Sequence, residues 1–217
     1  MSRFVYLHGF ASGPSSQKAR FFRERFAELG MGLEIPDLAE GRFEQLTISG
    51  QLAVIERVAH DDPVSLIGSS MGGYLAALYA ARHPEVEKLV LLAPAFSFLT
   101  RWPEELGEEK MREWKRTGVL QVFHYGEGRE VALGFQLIED AREFEDYPKF
   151  PQPTLIFHGR HDTVVPPGHS ITFSQQHADT TLRMMESDHQ LLNVLDDIWM
   201  ETERFLFGQV AGNSTRL

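Results

Sequence analysis

Residues 68–72 read Gly-Ser-Ser-Met-Gly, a G-x-S-x-G sequence centred on Ser70, and they carry the strongest chemical signal in the chain. The apolar run at residues 64–67 precedes them, and an alanine-rich stretch follows. The pattern predicts a strand, a sharp turn and a helix. At such a turn the apex residue is held in a strained conformation with its side chain directed out of the sheet. Ser70 is therefore the candidate nucleophile.

The two glycines of this motif also indicate which of its two serines is at the apex of the turn. In a tight turn the positions two before and two after the apex lie close together, and a Cβ at either would clash. Gly68 and Gly72 occupy these positions around Ser70. Ser69 is a poorer candidate, because its corresponding neighbours are Ile67 and Met71.

A serine hydroxyl is a weak nucleophile at neutral pH, so it needs a nearby base and an acid that orients the base. Asp162 follows the predicted strand at residues 154–157, and His189 follows the one at residues 181–185. In open parallel sheets the site forms at the carboxyl ends of the strands. The order Ser70, Asp162, His189 is the order of the α/β-hydrolase triad, which makes Asp162 the predicted acid and His189 the predicted base.

Two other readings of these loops stay open. Asp188 is a second candidate acid, although adjacent residues rarely hold one another in triad geometry. His158, His161 and Asp162 resemble a metal cluster, but the segment is strand-to-loop and lacks the H-E-x-x-H spacing of a helix. The other interpretation of His158 is a packed histidine at a strand end.

A negatively charged transition state also needs hydrogen-bond donors, which form an oxyanion hole. The amide of Met71, directly after the nucleophile, is one predicted donor, and it lies at a helix N-terminus that favours negative charge. The amide of Phe10 is the other, because Gly9 lets the loop after the first strand turn towards the serine. His8-Gly9 taken alone is also compatible with an ordinary strand-to-loop turn. Residues 12–16 favour a turn and helix cap over a phosphate site.

Alternating strand and helix signals surround these residues. The alternation predicts an α/β fold with a mostly parallel sheet and helices on both faces. The predicted strands are residues 4–7, 33–35, 64–67, 89–93, 154–158 and 181–185. The predicted helices are one capped by Ser15 or Ser16 and ended by Gly30, and others at residues 48–58, 71–82 and 191–205.

Residues 97–150 depart from this alternation, being rich in charged and aromatic side chains. We interpret them as a small cap inserted between two core strands of one domain that spans residues 1–217. Within the cap, helices are expected near residues 104–115 and 135–144, and residues 119–125 are strand-like. The tail at residues 208–217 is polar and expected to fray.

Several aromatic residues of this insertion could line a pocket for the acyl chain of a substrate. They could equally form the cap's own core, and the sequence does not separate the two. The candidates are Phe96, Phe98, Leu99 and Trp102, with Trp114.

Composition narrows the range of functions. Of 217 residues, 42% are hydrophobic and 24% charged, as in ordinary globular proteins, and the formal net charge is −10. The acidity disfavours nucleic acid and anionic membranes as partners. The chain has no cysteine, which excludes disulfides, thiol catalysis and cysteine-bound zinc.

The same observations shape expectations about location and cofactors. The absence of cysteine fits a cytoplasmic protein, and no signal peptide or membrane-spanning stretch is recognisable. No cofactor or metal is required by the predicted chemistry, so full activity in excess EDTA is expected. The sequence leaves the oligomeric state undetermined.

In these residues the chain resembles the α/β-hydrolase superfamily, and more narrowly the small bacterial YqiA-like esterases. The resemblance rests on residues 6–19, YLHGFASGPSSQKA, and residues 67–76, IGSSMGGYLA. It implies the α/β-hydrolase fold and activity on carboxylic esters or acyl thioesters. It gives Ser70, Asp162 and His189 the triad roles and gives Phe10 and Met71 the oxyanion amides.

The predicted function is therefore hydrolysis of a small acyl ester through an acyl-enzyme intermediate. Because the base must be neutral, activity is expected to fall below roughly pH 6. Among enzymes, the alternative is peptidase, lipase or lactonase activity with the same triad. A dehalogenase is disfavoured, because its usual nucleophile is a carboxylate. A catalytically silent ligand-binding protein and a protein-interaction module are the alternatives from other classes.

Overall fold

A five-stranded parallel sheet forms the centre of the molecule. Its strands are β1 (Arg3–Leu7), β2 (Val64–Ser69), β3 (Val86–Leu92), β6 (Thr154–Gly159) and β7 (Thr180–Met185), and their order across the sheet is β1-β2-β3-β6-β7. The computed structural model describes residues 2–60 and 62–208. All six residues of β2 and β6 are buried, as expected for inner parallel strands covered on both faces.

Helices cover both faces of this sheet, as the sequence predicted. They are α1 (Gln17–Glu28), α2 (Ile48–Ala59), α3 (Met71–Ala80), α4 (Phe98–Thr117), α5 (Gln136–Ala141), α6 (Gly168–Gln176) and α7 (Leu195–Phe207). Buried side chains of α1 and α7, among them Phe22, Phe26 and Trp199, share one core cluster with Tyr6 of β1. Buried side chains of α2 and α3 share the other cluster with Leu66 of β2.

The predicted strand at residues 33–35 is wrong. Only an isolated parallel bridge forms there, between Glu34 and Val5, and Pro36 lacks the N–H that would extend the pairing. On its other side Val5 pairs with Leu66 of β2. After β1, the chain therefore first passes along one side of this strand, where Glu34 lies. It then forms β2 on the other side of β1. Such a reversal opens a crevice at the carboxyl ends of the strands, and this is where the loops after β1 and β2 lie.

The segment between β3 and β6 contains α4, α5 and an antiparallel hairpin, β4 (Val119–His124) and β5 (Arg129–Gly134). The helix predicted at residues 104–115 begins earlier, at Phe98, and kinks at Gly107, where φ is +79°. β5 was not predicted. Trp114 and Leu133 are buried here in the same core cluster as the sheet, so the segment packs against the body of the molecule.

Local capping explains where several helices begin. The Ser16 side chain accepts a hydrogen bond from the N–H of Ala19 at the start of α1, which selects Ser16 of the two predicted caps. Thr47 caps α2 in the same way. α6 was not predicted, and it follows the pair Pro166-Pro167. α7 ends before Gly208, and the rest of the predicted frayed tail, residues 209–217, lies outside the described residues.

Candidate active site

Ser70 lies at the apex of a sharp turn between β2 and α3. Its backbone has φ +54° and ψ −117°, a strained conformation for a residue with a side chain. Two hydrogen bonds from the neighbouring β3 end hold this turn: the Ser70 N–H donates to Leu92 O at 2.8 Å, and the Ala95 N–H donates to Ser70 O at 3.0 Å. The strain is thus supported by β3 and the residues that follow it.

The two glycines of the motif are required for different contacts. A Cβ on Gly68 would lie 2.4 Å from the Gly72 carbonyl oxygen, as the sequence argument predicted. A Cβ on Gly72 would instead lie 2.1 Å from the carbonyl oxygen of Leu7, at the end of β1. Gly72 therefore lets the nucleophile turn lie against the strand that leads to the Gly9-Phe10 loop.

The variant Gly72→Ala is expected to lower the free energy of unfolding by about 3 kcal/mol, because backbone atoms of β1 would have to move. Urea denaturation followed by circular dichroism measures this change. Gly32→Ala is the matched control, since a Cβ there would have no atom of the described residues within 4 Å, and its effect should stay within about 0.5 kcal/mol. Equal stability of the two variants would contradict this account of the turn.

Ser70, His189 and Asp162 lie within hydrogen-bond distance of one another. The Ser70 Oγ is 3.1 Å from His189 Nε2, and His189 Nδ1 is 2.7 Å from Asp162 Oδ2. The Asp162 side chain is fully buried, whereas that of His189 is 12% exposed. Because Asp162 accepts the Nδ1–H proton, the Nε2 lone pair faces the serine hydroxyl. The structure thus brings together the three residues that the sequence predicted.

Asp162 is held by four donors. Its Oδ1 accepts the backbone N–H groups of Val164 and Val165, both at 2.8 Å. Its Oδ2 lies near His189 Nδ1 and, at 3.1 Å, His158 Nε2. Burial raises the pKa of the Asp162 carboxyl, but the hydrogen bonds from His158, His189 and Val165 outweigh it and hold that pKa well below its usual range. Asp162 is therefore a carboxylate at neutral pH.

His158 is a supporting residue whose role the sequence reasoning missed. It is fully buried at the end of β6; its Nδ1 lies 2.7 Å from Ser170 Oγ. Its Nε2 faces two acceptors, Val165 O at 2.8 Å and Asp162 Oδ2, so Nε2 carries the proton. The signal available in the sequence was its position, one residue before Gly159 and four before Asp162.

The loop after β1 presents the other predicted group. Among the described residues, the N–H groups of Phe10 and Met71 donate to no protein acceptor. The buried His8 accepts the Leu38 N–H at Nε2 and donates from Nδ1 to Gly9 O at 3.0 Å. Since the C=O and N–H of one peptide unit point in opposite directions, this bond turns the Phe10 N–H away from His8. His8 therefore orients the predicted donor.

Ser70 and His189 open into a cavity of about 880 Å³. Of the three aromatic residues predicted to bind substrate, Trp102 lines this cavity. Phe96 and Phe98 do not line it: both are buried, with Phe96 stacked on Phe173 and Phe98 against Trp102. Further apolar side chains from the loop after β1, from α4 and from β4 also line it, among them Phe10, Leu106, Leu120 and Val122.

The residues of the alternative site interpretations lie elsewhere or have other partners. Asp188 is exposed, and its carboxylate accepts the Gln190 N–H instead of a histidine proton. His161 is exposed and lies near Glu186 at 3.2 Å, away from the buried pair His158 and Asp162. Across residues 2–60 and 62–208, no group of three or more His, Asp or Glu side chains is arranged to hold a metal ion.

Comparisons with known proteins agree on the fold. The model of the uncharacterised protein family UPF0227 matches residues 3–205. A pimeloyl-(acyl-carrier protein) methyl ester esterase from Nitrosospira multiformis is 28% identical, over 83% of this chain and 84% of that protein. Two solved structures are similar over most of this chain, and their likeness shows the α/β-hydrolase fold.

The first is Est1E from Butyrivibrio proteoclasticus with bound ferulic acid: TM-score 0.79, 22% identity, 97% of this chain and 90% of that chain. The second is alpha/beta hydrolase domain-containing protein 10 from mouse: TM-score 0.73, 21% identity, 92% of this chain and 90% of that chain. The fold predicted from the sequence is confirmed. Within the described part of the chain, no helix has the length and apolar character needed to cross a bilayer.

Proposed function

This chain belongs to the UPF0227 family, and we propose that it is a serine esterase that hydrolyses small carboxylic esters or acyl thioesters. The observation that carries the proposal is the hydrogen-bonded chain from Ser70 to His189 to Asp162, of which Ser70 and His189 line the cavity. The relative from Nitrosospira multiformis, which acts on a methyl ester, supports the same reaction class.

The first half of the reaction forms an acyl-enzyme. As the Ser70 oxygen attacks the carbonyl carbon of the ester, its proton passes to His189 Nε2. The imidazolium that forms is stabilised by the Asp162 carboxylate. The N–H groups of Phe10 and Met71 donate hydrogen bonds to the oxyanion of the tetrahedral intermediate. The intermediate collapses when His189 protonates the leaving alcohol or thiol, which leaves the acyl group bonded to Ser70.

The second half of the reaction releases the acid. Water attacks the acyl carbonyl carbon while His189 accepts a proton from it, and the same two N–H groups stabilise the second oxyanion. Collapse of this intermediate breaks the bond to the Ser70 oxygen, which recovers its proton from His189. His189 Nε2 accepts and returns the proton in both halves of the reaction. The side chains and N–H groups named above, together with the attacking water, are sufficient for each step.

A fluorophosphonate probe tests this proposal directly, because it bonds covalently to a serine whose oxygen has been activated as a nucleophile. The expected result is one adduct per chain on the peptide that contains Ser70, detected by mass spectrometry, with loss of esterase activity. His189→Ala should prevent the adduct because it removes the base. His161→Ala, which changes an exposed histidine outside the cavity, should leave it intact.

The labelling experiment has clear contrary outcomes. An adduct at another serine, or esterase activity that survives complete modification of Ser70, would overturn the assignment of the nucleophile. Absence of both labelling and hydrolysis across a series of p-nitrophenyl esters from acetate to palmitate would favour the silent ligand-binding protein.

A further inference from the structure

The charges in the cavity differ in sign from those of the protein as a whole. The chain has a formal net charge of −10, with 31 acidic and 21 basic residues. Lys18 and Lys110 line the cavity, and within the described part of the chain no Asp or Glu is among its lining residues. Tyr6, at the same wall, stays a neutral phenol because burial raises its pKa. The site therefore presents positive charge to a bound substrate.

Lys18 is the more buried of the two lysines that line the cavity. It is the second residue of α1, is partly buried, and forms no hydrogen bond or ion pair with any described residue. Burial lowers the pKa of Lys18 to about 8, and the Asp162 and Asp188 carboxylates oppose that shift. An ammonium that is partly removed from water and forms no ion pair carries a free-energy cost that a bound anion would offset.

Lys110 differs from Lys18 in position and expected strength. It lies on α4, is exposed, and lines a surface groove as well as the cavity. An exposed lysine is hydrated and screened by salt, so its interaction with an anion is weak. Lys18 is therefore the residue expected to determine preference, and Lys110 adds a smaller contribution at the mouth.

The apolar wall and Lys18 come from different sides of the sheet. Trp102 and Leu106 of α4 belong to the elements that pack on the α2 and α3 face. α1, which carries Lys18, packs on the opposite face. Both sides meet at the carboxyl edge of the sheet, where Ser70 lies between them. A substrate with an apolar part and an anionic part would satisfy both walls at once.

We propose that the site selects esters that carry a carboxylate, with the carboxylate bound by Lys18 and the apolar part against α4 and β4. A single inner ammonium balances one negative charge, which favours a carboxylate over a phosphate dianion. The inference rests on the proposed esterase function and deepens it by naming the substrate class. Hydrogen bonds to charged groups predict a preference of about tenfold or more in kcat/KM over a matched neutral ester.

Two matched pairs of esters test the proposal, and they separate the acyl side from the alcohol side. On the acyl side, glutaric acid mono-4-nitrophenyl ester is compared with 4-nitrophenyl pentanoate. On the alcohol side, 4-butanoyloxybenzoate is compared with its methyl ester. The measured quantity is the ratio of kcat/KM for the anionic ester to that for the neutral ester. The expected result is a ratio of about ten or more in at least one pair.

Three variants assign that ratio to the lysine. Lys18→Met, which removes the charge and keeps the chain length, should reduce the ratio to about one, whereas Lys18→Arg should retain most of it. Lys115→Met is the control, because Lys115 is exposed on the same helix as Lys110 and outside the cavity; its ratio should equal that of the wild type. Thermal unfolding confirms that each variant is folded.

Each outcome then decides one question. A high ratio that Lys18→Met abolishes supports the proposal, and the pair that shows it identifies the side of the carboxylate. A ratio near one in both pairs, or a ratio that Lys18→Met leaves intact, overturns it while hydrolysis of the neutral esters leaves the esterase function standing. Failure of the wild type to hydrolyse any of the four esters would count against the esterase function itself.

Discussion

Replacing Ser70 by alanine is expected to lower kcat for 4-nitrophenyl butanoate by about 10⁴-fold or more, with little change in KM. The variant removes the atom that would form the acyl-enzyme, and no other hydroxyl lies within hydrogen-bond distance of His189 Nε2 among the described residues. The oxyanion donors and the cavity remain, so a small residual rate above that of water is expected. Steady-state kinetics on purified protein measures the loss.

Ser69→Ala is the matched control, because it removes a hydroxyl from the adjacent residue of the same motif. Ser69 is the last residue of β2 and is buried, and its backbone lacks the positive φ of Ser70. Its kcat should remain within about tenfold of the wild type. If Ser69→Ala caused the larger loss, the frame of the motif would be wrong, and with it the assignment of Gly68 and Gly72.

The Ser70 turn was predictable because its requirements are local. A buried strand, two close backbone contacts and one strained residue fall within a few positions, so the sequence shows them together. The glycine at 72 was identified correctly but for an incomplete reason: its closest contact is Leu7 O, on a strand far away in the chain. The sequence can indicate that a position lacks room without showing which neighbour fills it.

The supporting histidines illustrate a second limit. His8 directly follows β1, and His158 is the second-last residue of β6. Each precedes a glycine, and each is buried with its ring nitrogens hydrogen-bonded. The repeated His-Gly pair was visible in the sequence. What each ring contacts depends on Leu38 and Ser170, which are distant in the chain or on an unpredicted helix. Their orienting roles follow only from the folded arrangement.

The elements that were missed have weak local signals. In β5 the buried residues Val131 and Leu133 do alternate with less buried ones, but they stand in a strongly charged segment that resembles a loop. α6 is nine residues long, and only Ser170 and Phe173 are buried in it, too few to produce a helical period. Both elements are stabilised by contacts with the rest of the core more than by their own composition.

For a related reason, the sequence did not show which aromatic residues of the cap line the cavity. Phe96, Phe98 and Trp102 are close in sequence and similar in chemistry, yet only Trp102 reaches the cavity. Which of them does so depends on the start and direction of α4, and the predicted helix began several residues too late. A shift of one or two positions rotates a helix enough to exchange a core residue for a cavity residue.

Asp162→Asn is expected to lower kcat by about 10³- to 10⁴-fold, because the amide would favour the wrong tautomer of the base. Both carboxylate oxygens accept from two donors each: Oδ1 from two backbone N–H groups, and Oδ2 from His189 and His158. Asparagine has one oxygen and one NH2 group. The backbone N–H groups cannot change, so the oxygen is expected to remain with them and the NH2 to face His189.

With an NH2 group as its neighbour, His189 Nδ1 must accept a hydrogen bond, and the ring proton moves to Nε2. The nitrogen facing Ser70 then carries a proton and cannot remove another. Asp188→Asn is the matched control, because it makes the same chemical change at the exposed carboxylate next to His189. It should retain kcat within a few-fold, and a loss comparable to that of Asp162→Asn would identify Asp188 as the acid instead.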